Sequence, residues 1–423
     1  MVWLVPLLFG LFLIGMPITF SLGVVSLLGL LLSEAPLLVI VQRLWTAVDT
    51  FSLVAVPLFI LAGDLMSNGG ISRRLVNFAQ ALVGHFTSGL AMVAVVACMF
   101  FAAVSGSAIA DAAAIGGLLI PTMIAQRYHP TFTASLVAAA GTIGPIIPPS
   151  IPMVLYGAMT NTSIAMLFAG GFLPGVLMGL GLMVYAYYVG RQRGYLGREK
   201  RATAGEVARG FASALLAMLM PAIIIGGIIS GVFTPTESGV VAVFYALVLG
   251  MFVYRELTWR DVWRLLYECG LLTGKILFIL GTASIFSWLL TMEGIPQQVT
   301  AAIAALNPGW VMMLLIINLV LLFVGTFIDT ISALVIFTPL LLPLAASVGV
   351  DPIHFGIVIA VNLTIGMITP PVGVVLFVTS AIAKLTIREM MRDLLPMIAV
   401  LVVALAVTTY WPGLVLLVPN LLK

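Results

Sequence analysis

This sequence contains few residues that carry charge or commonly bind metals. Charged residues make up 8% of its 423 residues, and there are three histidines and two cysteines. A soluble domain usually carries about a quarter charged residues, so most of this chain's surface cannot face water. The net charge of +3 is small, and we expect no nucleic-acid partner.

The scarce reactive residues also argue against catalysis. His85, His129 and His354 lie in separate loops without metal-ligand spacing, and Cys98 and Cys269 lie in apolar segments. We interpret both cysteines as small buried hydrophobic residues rather than disulfide or metal partners. The glycine-rich stretches lack a Walker lysine, and no acid and base are paired in an apolar segment. The sequence therefore predicts that the protein is not an enzyme.

Long apolar runs are what the sequence has in abundance. Hydrophobic residues make up 62% of the chain, mean hydropathy is +1.24, and the runs exceed the ~18 residues of a membrane-spanning helix. We predict an all-α integral membrane protein, surrounded by a lipid bilayer, with about nine to eleven transmembrane helices plus two re-entrant hairpins. The predicted spans lie near residues 3–32, 51–67, 132–157, 165–190, 211–231, 238–254, 270–292, 353–383 and 395–418.

The start of the chain leaves one alternative open. No basic residue precedes the first apolar run, which is also longer than a signal-peptide core, so we expect a retained span. Whether residues 3–32 form one tilted helix or two short ones is undecided at this point.

Two further apolar stretches, 88–124 and 308–346, are interrupted at their centres. Ser105-Gly106-Ser107 breaks the first stretch, and residues 325–329 break the second. Each arm of about 16 residues is ~24 Å long as a helix, which is short of a ~30 Å hydrocarbon core. We therefore predict two re-entrant hairpins, with two tight full spans carrying a polar kink as the alternative.

Lysine and arginine positions orient the chain. With each hairpin returning to its own side, all 18 of these residues except Arg43 and Lys423 fall on one side. Cytoplasmic loops are enriched in lysine and arginine, so the larger set is predicted to be cytoplasmic. Three amphipathic segments, 71–84, 255–266 and 295–306, are predicted to lie along the membrane plane.

The two halves of the chain repeat the same spacing. An aspartate precedes a proline by ten residues twice, and a proline precedes a Pro-Pro pair by eighteen residues twice: Asp111–Pro121, Asp329–Pro339, Pro130–Pro148 and Pro352–Pro370. We divide the chain into halves 1–209 and 210–423, each with one hairpin and one broken helix, at 132–157 and 353–383. Because the hairpins enter from opposite sides, the halves are inverted, which is typical of secondary transporters.

The breaks have a predicted chemistry. Each Pro-Pro pair removes backbone donors and leaves carbonyl groups in need of a partner, and a cation is one such partner. Each hairpin tip should face the Gly-Pro break of its own half, which gives two cation sites on either side of an anion site. Asp329 has no basic residue in its hairpin and is favoured as a cation ligand. Asp111 is either functional or hydrogen-bonded to polar groups beside the first tip.

Four segments carry a family resemblance. Residues 105–116 (SGSAIADAAAIG), 141–150 (GTIGPIIPPS), 231–237 (GVFTPTE) and 362–373 (NLTIGMITPPVG) resemble the large permease subunit of TRAP transporters, the tripartite ATP-independent periplasmic transporters of the DctM family. The resemblance extends over essentially the whole chain.

The resemblance implies a function and partners. It implies sodium-driven uptake of an organic acid, such as a C4-dicarboxylate or sialic acid, across the bacterial inner membrane by an elevator mechanism. A periplasmic substrate-binding protein and a separate small four-helix membrane subunit are the implied partners. The alternative is a stand-alone sodium/dicarboxylate or anion permease that needs no binding protein.

The resemblance also implies site residues. The implied sodium ligands lie at the two tips and the two breaks: Ser105, Gly106, Gly144, Pro145, Gly325, Asp329, Gly366, Thr369 and Pro370. The implied substrate contacts lie between them: Ser107, Ser150, Asn362 and Thr364.

Overall fold

The computed structural model describes residues 3–33, 36–198, 200–295, 298 and 309–422, and in these ranges it contains helices and no strand. This agrees with the predicted all-α class. The helices of the first half are α1 Leu4–Leu13, α2 Ile18–Leu32, α3 Leu38–Val48, α4 Ala55–Asn68, α5 Ile71–Val83, α6 Gly89–Ser105, α7 Ala108–Ala125, α8 Pro130–Gly141, α9 Ile151–Thr160 and α10 Ile164–Arg193.

The second half has a similar set. Its described helices begin with α11 Ala204–Ile229, which contains the predicted boundary between residues 209 and 210. They continue with α12 Pro235–Leu247, α13 Trp259–Met292, α14 Trp310–Gly325, α15 Thr330–Ser347, α16 Pro352–Gly366, α17 Val374–Ala383, α18 Ile387–Tyr410 and α19 Pro412–Leu421. A 3₁₀ turn, Phe51–Val54, precedes α4, and a π-helical segment, Val248–Val253, follows α12. Within the described ranges, eight helical segments are long and apolar enough to cross a membrane.

Two apolar runs are divided by proline and glycine. Residues 3–32 form two helices, because Gly15 adopts a left-handed φ of +83° and Pro17 is the N-cap of the next helix, which starts at Ile18. The predicted single span 395–418 is wrong, because α18 ends at Tyr410 and α19 starts at Pro412. A residue before proline is pushed out of the helical region, and Trp411 accordingly has φ −122° and ψ 78°.

The amphipathic segments have different outcomes. The segment 71–84 forms a separate helix, α5, which ends at Val83, and its position along the membrane plane stays a prediction. The predicted separate helix at 255–266 is wrong, because α13 runs without a break to Met292. Its start is fixed by a capping box, in which Thr258 and Asp261 satisfy each other's backbone N–H groups. The third segment, 295–306, lies outside the described residues except at positions 295 and 298.

Two helix pairs and two broken helices pack against one another. The pair α6–α7 packs against α8, and the pair α14–α15 packs against α16. The halves also interlock, because α7 contacts α17 and α15 contacts α9. Both helices of each pair therefore contact the first piece of the broken helix in their own half, and one helix of each pair contacts the second piece of the other broken helix. This arrangement buries the first break, residues 142–150, whereas in the second break Thr369 and Pro370 are half-buried and Pro371 is exposed.

Candidate functional site

The first tip connects α6 to α7 through three residues. Ser105 ends α6, Gly106 turns the chain with a left-handed φ of +62°, and Ser107 caps α7 by accepting a hydrogen bond from the Ala110 N–H. A Cβ at Gly106 would lie 2.6 Å from the carbonyl oxygen of Pro149. The sequence therefore needs glycine here both for the turn and for the close approach to the break.

Asp111 lies one turn into α7 and is fully buried. The Ser105 hydroxyl donates a hydrogen bond to its Oδ1 atom, whereas its Oδ2 atom has no partner among the described residues. A Cβ at Gly144 would lie 2.7 Å from Oδ2 and 2.9 Å from the Ser107 carbonyl oxygen. The hydrogen bond that was one of the two alternatives for Asp111 is present, and its other carboxylate oxygen has no partner among the described residues.

The first break runs from Thr142 to Ser150, between α8 and α9. Ser150 caps α9 by accepting from the Met153 N–H, and its hydroxyl donates to the Pro145 carbonyl at 2.5 Å. All residues of this segment are buried. Helix α4 packs against the first tip, since a Cβ at Gly63 would lie 3.1 Å from the Ser105 carbonyl oxygen. The tip, the break and α4 thus pack closely together at buried positions.

The second tip is built around Asp329, which caps α15. Its carboxylate accepts hydrogen bonds from the Ser332 N–H at 3.1 Å and from the Ser332 hydroxyl at 2.5 Å. Thr326 donates to the Phe323 carbonyl at 2.7 Å. The neighbouring Thr330 hydroxyl is buried and has no partner within the described ranges. Asp329 therefore has a structural task, the capping of α15, beside any ligand role.

The second tip meets its own break at two glycines. Gly325 ends α14 and Gly366 ends α16, and a Cβ at Gly366 would lie 2.6 Å from the backbone of Gly325. Thr369, in the break that follows, donates to the Ile365 carbonyl at 2.9 Å, and Pro370 comes next. The cis peptide bonds Pro148–Pro149 and Pro370–Pro371 lie at equivalent places in the two breaks. Each predicted tip thus lies against the break of its own half.

The four predicted substrate contacts have local partners. Ser107 and Ser150 cap helices in the first half. The Asn362 amide donates to the Asn318 side chain at 2.7 Å, and the Thr364 hydroxyl donates to the Val361 carbonyl. The hydrogen bonds of each pair stay in its own half. All but Ser107 are buried.

Some polar residues of this region were not singled out from the sequence. Ser332 binds Asp329, and Asn318 joins Asn362 to the hydroxyl of Thr409, 3.1 Å from the Asn318 amide. The signal for Asn318 was available, because a polar side chain inside an apolar run is costly in lipid and needs a partner. The pairing of Ser332 with Asp329 follows from the i, i+3 spacing of a helix cap.

Helix pairs that cross broken helices inside an apolar helical protein define its class. Discontinuous helices with polar breaks are tolerated in a membrane only where they lie in the protein interior or line a cavity, and such breaks mark the transport sites of secondary transporters. The protein is a multi-pass membrane transporter.

The family follows from the sequence comparison. Residues 5–414 match the family described as "Tripartite ATP-independent periplasmic transporter, DctM component", and the chain belongs to this family. It is 40% identical over 413 residues to the sialic acid TRAP transporter large permease protein SiaM of Vibrio cholerae, covering 97% of this chain and 96% of that protein. It is 43% identical over 378 residues to the C4-dicarboxylate TRAP transporter large permease protein DctM of Pseudomonas aeruginosa, covering 89% and 88%.

A third relative is longer than this chain. The isethionate TRAP transporter permease protein DctMQ of Oleidesulfovibrio alaskensis is 41% identical over 413 residues, which are 96% of this chain and 65% of that protein. The family and these relatives are permeases of transport systems, so the protein is a transport permease of the inner membrane and not an enzyme.

Solved structures show a similar fold. The Alcanivorax borkumensis YdaH transporter matches with a TM-score of 0.63 at 14% identity, over 88% of this chain and 87% of that one. Neisseria gonorrhoeae MtrF, described as one of a class of antimetabolite efflux pumps, matches with a TM-score of 0.58 at 16% identity, over 88% and 82%. At these identities the likeness concerns the fold alone.

Proposed function

We propose that this chain is the large permease of a sodium-coupled importer that takes up an organic acid delivered by a periplasmic binding protein. The observation that carries the proposal is the buried carboxylate of Asp111. One of its oxygens has no partner in the described part of the chain and lies beside the first crossing, the place where the first tip, residues 105–107, meets the first break, residues 142–150. The second crossing is the place where the second tip, residues 325–329, meets the second break, which follows Gly366. A buried, unpaired carboxylate oxygen is costly unless a cation or proton joins it.

Sodium fits the donor atoms at both crossings. Unwound backbone carbonyls and the C-terminal ends of half-helices coordinate sodium in secondary transporters. The first crossing offers the unpartnered Oδ2 atom of Asp111, the Ser105 hydroxyl and the ends of α6 and α8, near Gly106, Gly144 and Pro145. The second offers the ends of α14 and α16 at Gly325 and Gly366, together with Asp329, Thr369 and Pro370. The unpartnered Thr330 hydroxyl adds a further oxygen there.

An organic acid is the substrate class that we propose. The relatives' names include sialic acid and C4-dicarboxylate transporters. Helices α7, α9 and α15 begin at the crossings, and helix N-termini favour anions because their N–H groups and dipoles point at the ligand. We assign substrate contacts to Ser107 and Ser150, the caps of α7 and α9, and to Asn362 and Thr364 of α16.

Transport by an elevator movement is part of the same proposal. The contacts of α7 with α17 and of α15 with α9 tie the two helix pairs and the two broken helices together. They can therefore move as one body past the remaining helices, carrying substrate across the membrane. The family description names a tripartite system, so we propose two partners, a small membrane subunit and a periplasmic binding protein.

Reconstitution tests the proposal. The chain and its small subunit are placed in proteoliposomes, and uptake of labelled succinate and N-acetylneuraminate is measured with the cognate binding protein. We expect uptake only with an inward sodium gradient and only with the binding protein. Uptake of equal rate in potassium would contradict sodium coupling, and full uptake without the binding protein would favour a stand-alone permease.

A matched pair of variants tests the second sodium site. Asp329 and Asp351 each cap a helix through their carboxylates, but Asp351 caps α16 at its far end from the break. We expect Asp329→Ala to raise the sodium concentration for half-maximal uptake at least several-fold. Asp351→Ala, which loses a similar cap, should leave it unchanged. Equal behaviour of the two variants would remove Asp329 from the sodium site.

A further inference from the structure

A cavity of about 540 Å³ lies away from the two crossings. Helices α3 and α13 form one wall with polar side chains, and α9 and α15 form the opposite wall. The residues that matter here are Arg43, Thr46, Ser287, Trp288, Met159 and Pro339. The cavity therefore separates the helices that we assign to the moving body from two helices outside it.

Arg43 is the single charged residue among the described residues that line the cavity. Its guanidinium lies 5.6 Å from the centre of the Trp288 ring, which is a cation–π distance. Among the described residues it has no ion-pair partner. A guanidinium presents a planar fork of donors that matches a carboxylate. Held over Trp288, it offers this fork to an anion from solution.

The position of the cavity connects it to both crossings. Helix α9 begins at the first break, and its last turn carries Met159, about 12 Å along the helix axis. Helix α15 begins at the second tip and carries Pro339 at a similar distance. The lysine and arginine distribution predicts that Arg43 lies on the side opposite the cytoplasm, which is the side from which we propose that substrate arrives.

We propose that this cavity is an anion-binding approach site, in which Arg43 receives the carboxylate of an incoming organic acid before the acid reaches the crossings. The proposal rests on the proposed uptake of organic acids and names a residue for its first step. The hydroxyls of Thr46 and Ser287 supply further hydrogen bonds to a hydroxylated acid. Arg43 attracts the anion into the cavity, and the hydroxyls of Thr46 and Ser287 line its path toward the crossings.

Thiol reactivity tests the site without requiring transport. Cys98 and Cys269 are buried, so Ser287→Cys adds an accessible thiol to the cavity. The intact complex in whole cells is treated with membrane-impermeant methanethiosulfonates, one bearing an anionic sulfonate and one a cationic trimethylammonium group. We expect the ratio of the anionic to the cationic rate to fall several-fold when Arg43→Gln is added, since the charge that attracts the anionic reagent and repels the cationic one is then gone.

Two controls accompany this ratio. Arg43→Lys keeps the charge and should keep most of the ratio. Ser230→Cys is exposed at the end of α11 and lies outside the cavity wall, so its ratio should not respond to Arg43→Gln. In uptake assays with succinate and N-acetylneuraminate, Arg43→Gln should raise KM several-fold and change the maximal rate little.

The outcomes separate this inference from the proposed function. The approach site is overturned, even if sodium-driven uptake is found, by any one of three results. They are a rate ratio that Arg43→Gln leaves unchanged, a Ser287→Cys thiol that neither reagent modifies from outside, and an unchanged KM. Absence of organic-acid uptake overturns the proposed function, while the rate ratio still decides whether Arg43 attracts anions.

Discussion

The contact between Gly325 and Gly366 makes a quantitative prediction. A methyl group at Gly366 would lie 2.6 Å from two backbone atoms of Gly325 and 2.7 Å from its carbonyl oxygen. Carbon atoms pack at about 3.5–4.0 Å, so the two backbones must separate by about 1 Å. No flexible side chain can yield instead, because the clashing atoms are backbone.

We work out the cost of Gly366→Ala from two opposing effects. Overpacking costs about 1–3 kcal/mol. Alanine recovers at most about 0.5–1 kcal/mol of helix propensity, and less at the last residue of α16. We therefore expect a net loss of about 0.5–2.5 kcal/mol, together with a displaced second crossing.

The assay combines unfolding with sodium dependence. The midpoint of unfolding in detergent micelles should fall for Gly366→Ala, and half-maximal uptake should need several-fold more sodium. Gly117 is the control, because it lies inside α7 with nothing within 4 Å of an added Cβ. Gly117→Ala should hold or raise the midpoint. If Gly366→Ala matches the wild-type protein in both measurements, the close-contact reasoning is refuted.

Three further predictions concern buried polar groups. The Asp393 side chain is 7% exposed and pairs with Arg193, which is 35% exposed. Asp393→Asn should lower the free energy of unfolding in micelles by about 1–3 kcal/mol, which is below the full cost for a buried pair because Arg193 is partly exposed. Asn318→Leu leaves the Asn362 amide without its side-chain partner and should cost about 0.5–2 kcal/mol in the same assay. Asp111→Asn removes the unpartnered carboxylate oxygen, and sodium should stimulate uptake several-fold less.

Controls for these variants use exposed or conservative changes. Arg264 pairs with Asp261 at an exposed position, and Arg264→Gln should leave the unfolding midpoint unchanged. A midpoint for Asp393→Asn that is also unchanged would show that the buried pair adds nothing to stability. If sodium stimulates uptake by Asp111→Asn as strongly as it does for the wild-type protein, Asp111 is not part of the sodium site.

Local sequence rules predicted some helix ends and missed others. Ser105-Gly106-Ser107 was recognised as a break, and the helices end and begin there. The division at Trp411 was missed, since hydropathy stays high across it and only the backbone restriction before Pro412 marks it. The start of α13 was misread because its first turns look amphipathic, whereas nothing in residues 259–292 interrupts the helix.

The sequence by itself determined that this protein lies in a lipid bilayer and where many of its helices break. Hydropathy reports the transfer of each segment into lipid, and glycine, proline and serine act on their own backbone. Only the tertiary structure decided that Asp111 binds Ser105 while its other oxygen has no partner among the described residues, that Gly325 meets Gly366, and that Arg43 lies over Trp288 beside a cavity. These pairs join segments whose approach depends on how whole helices pack, which no local pattern encodes.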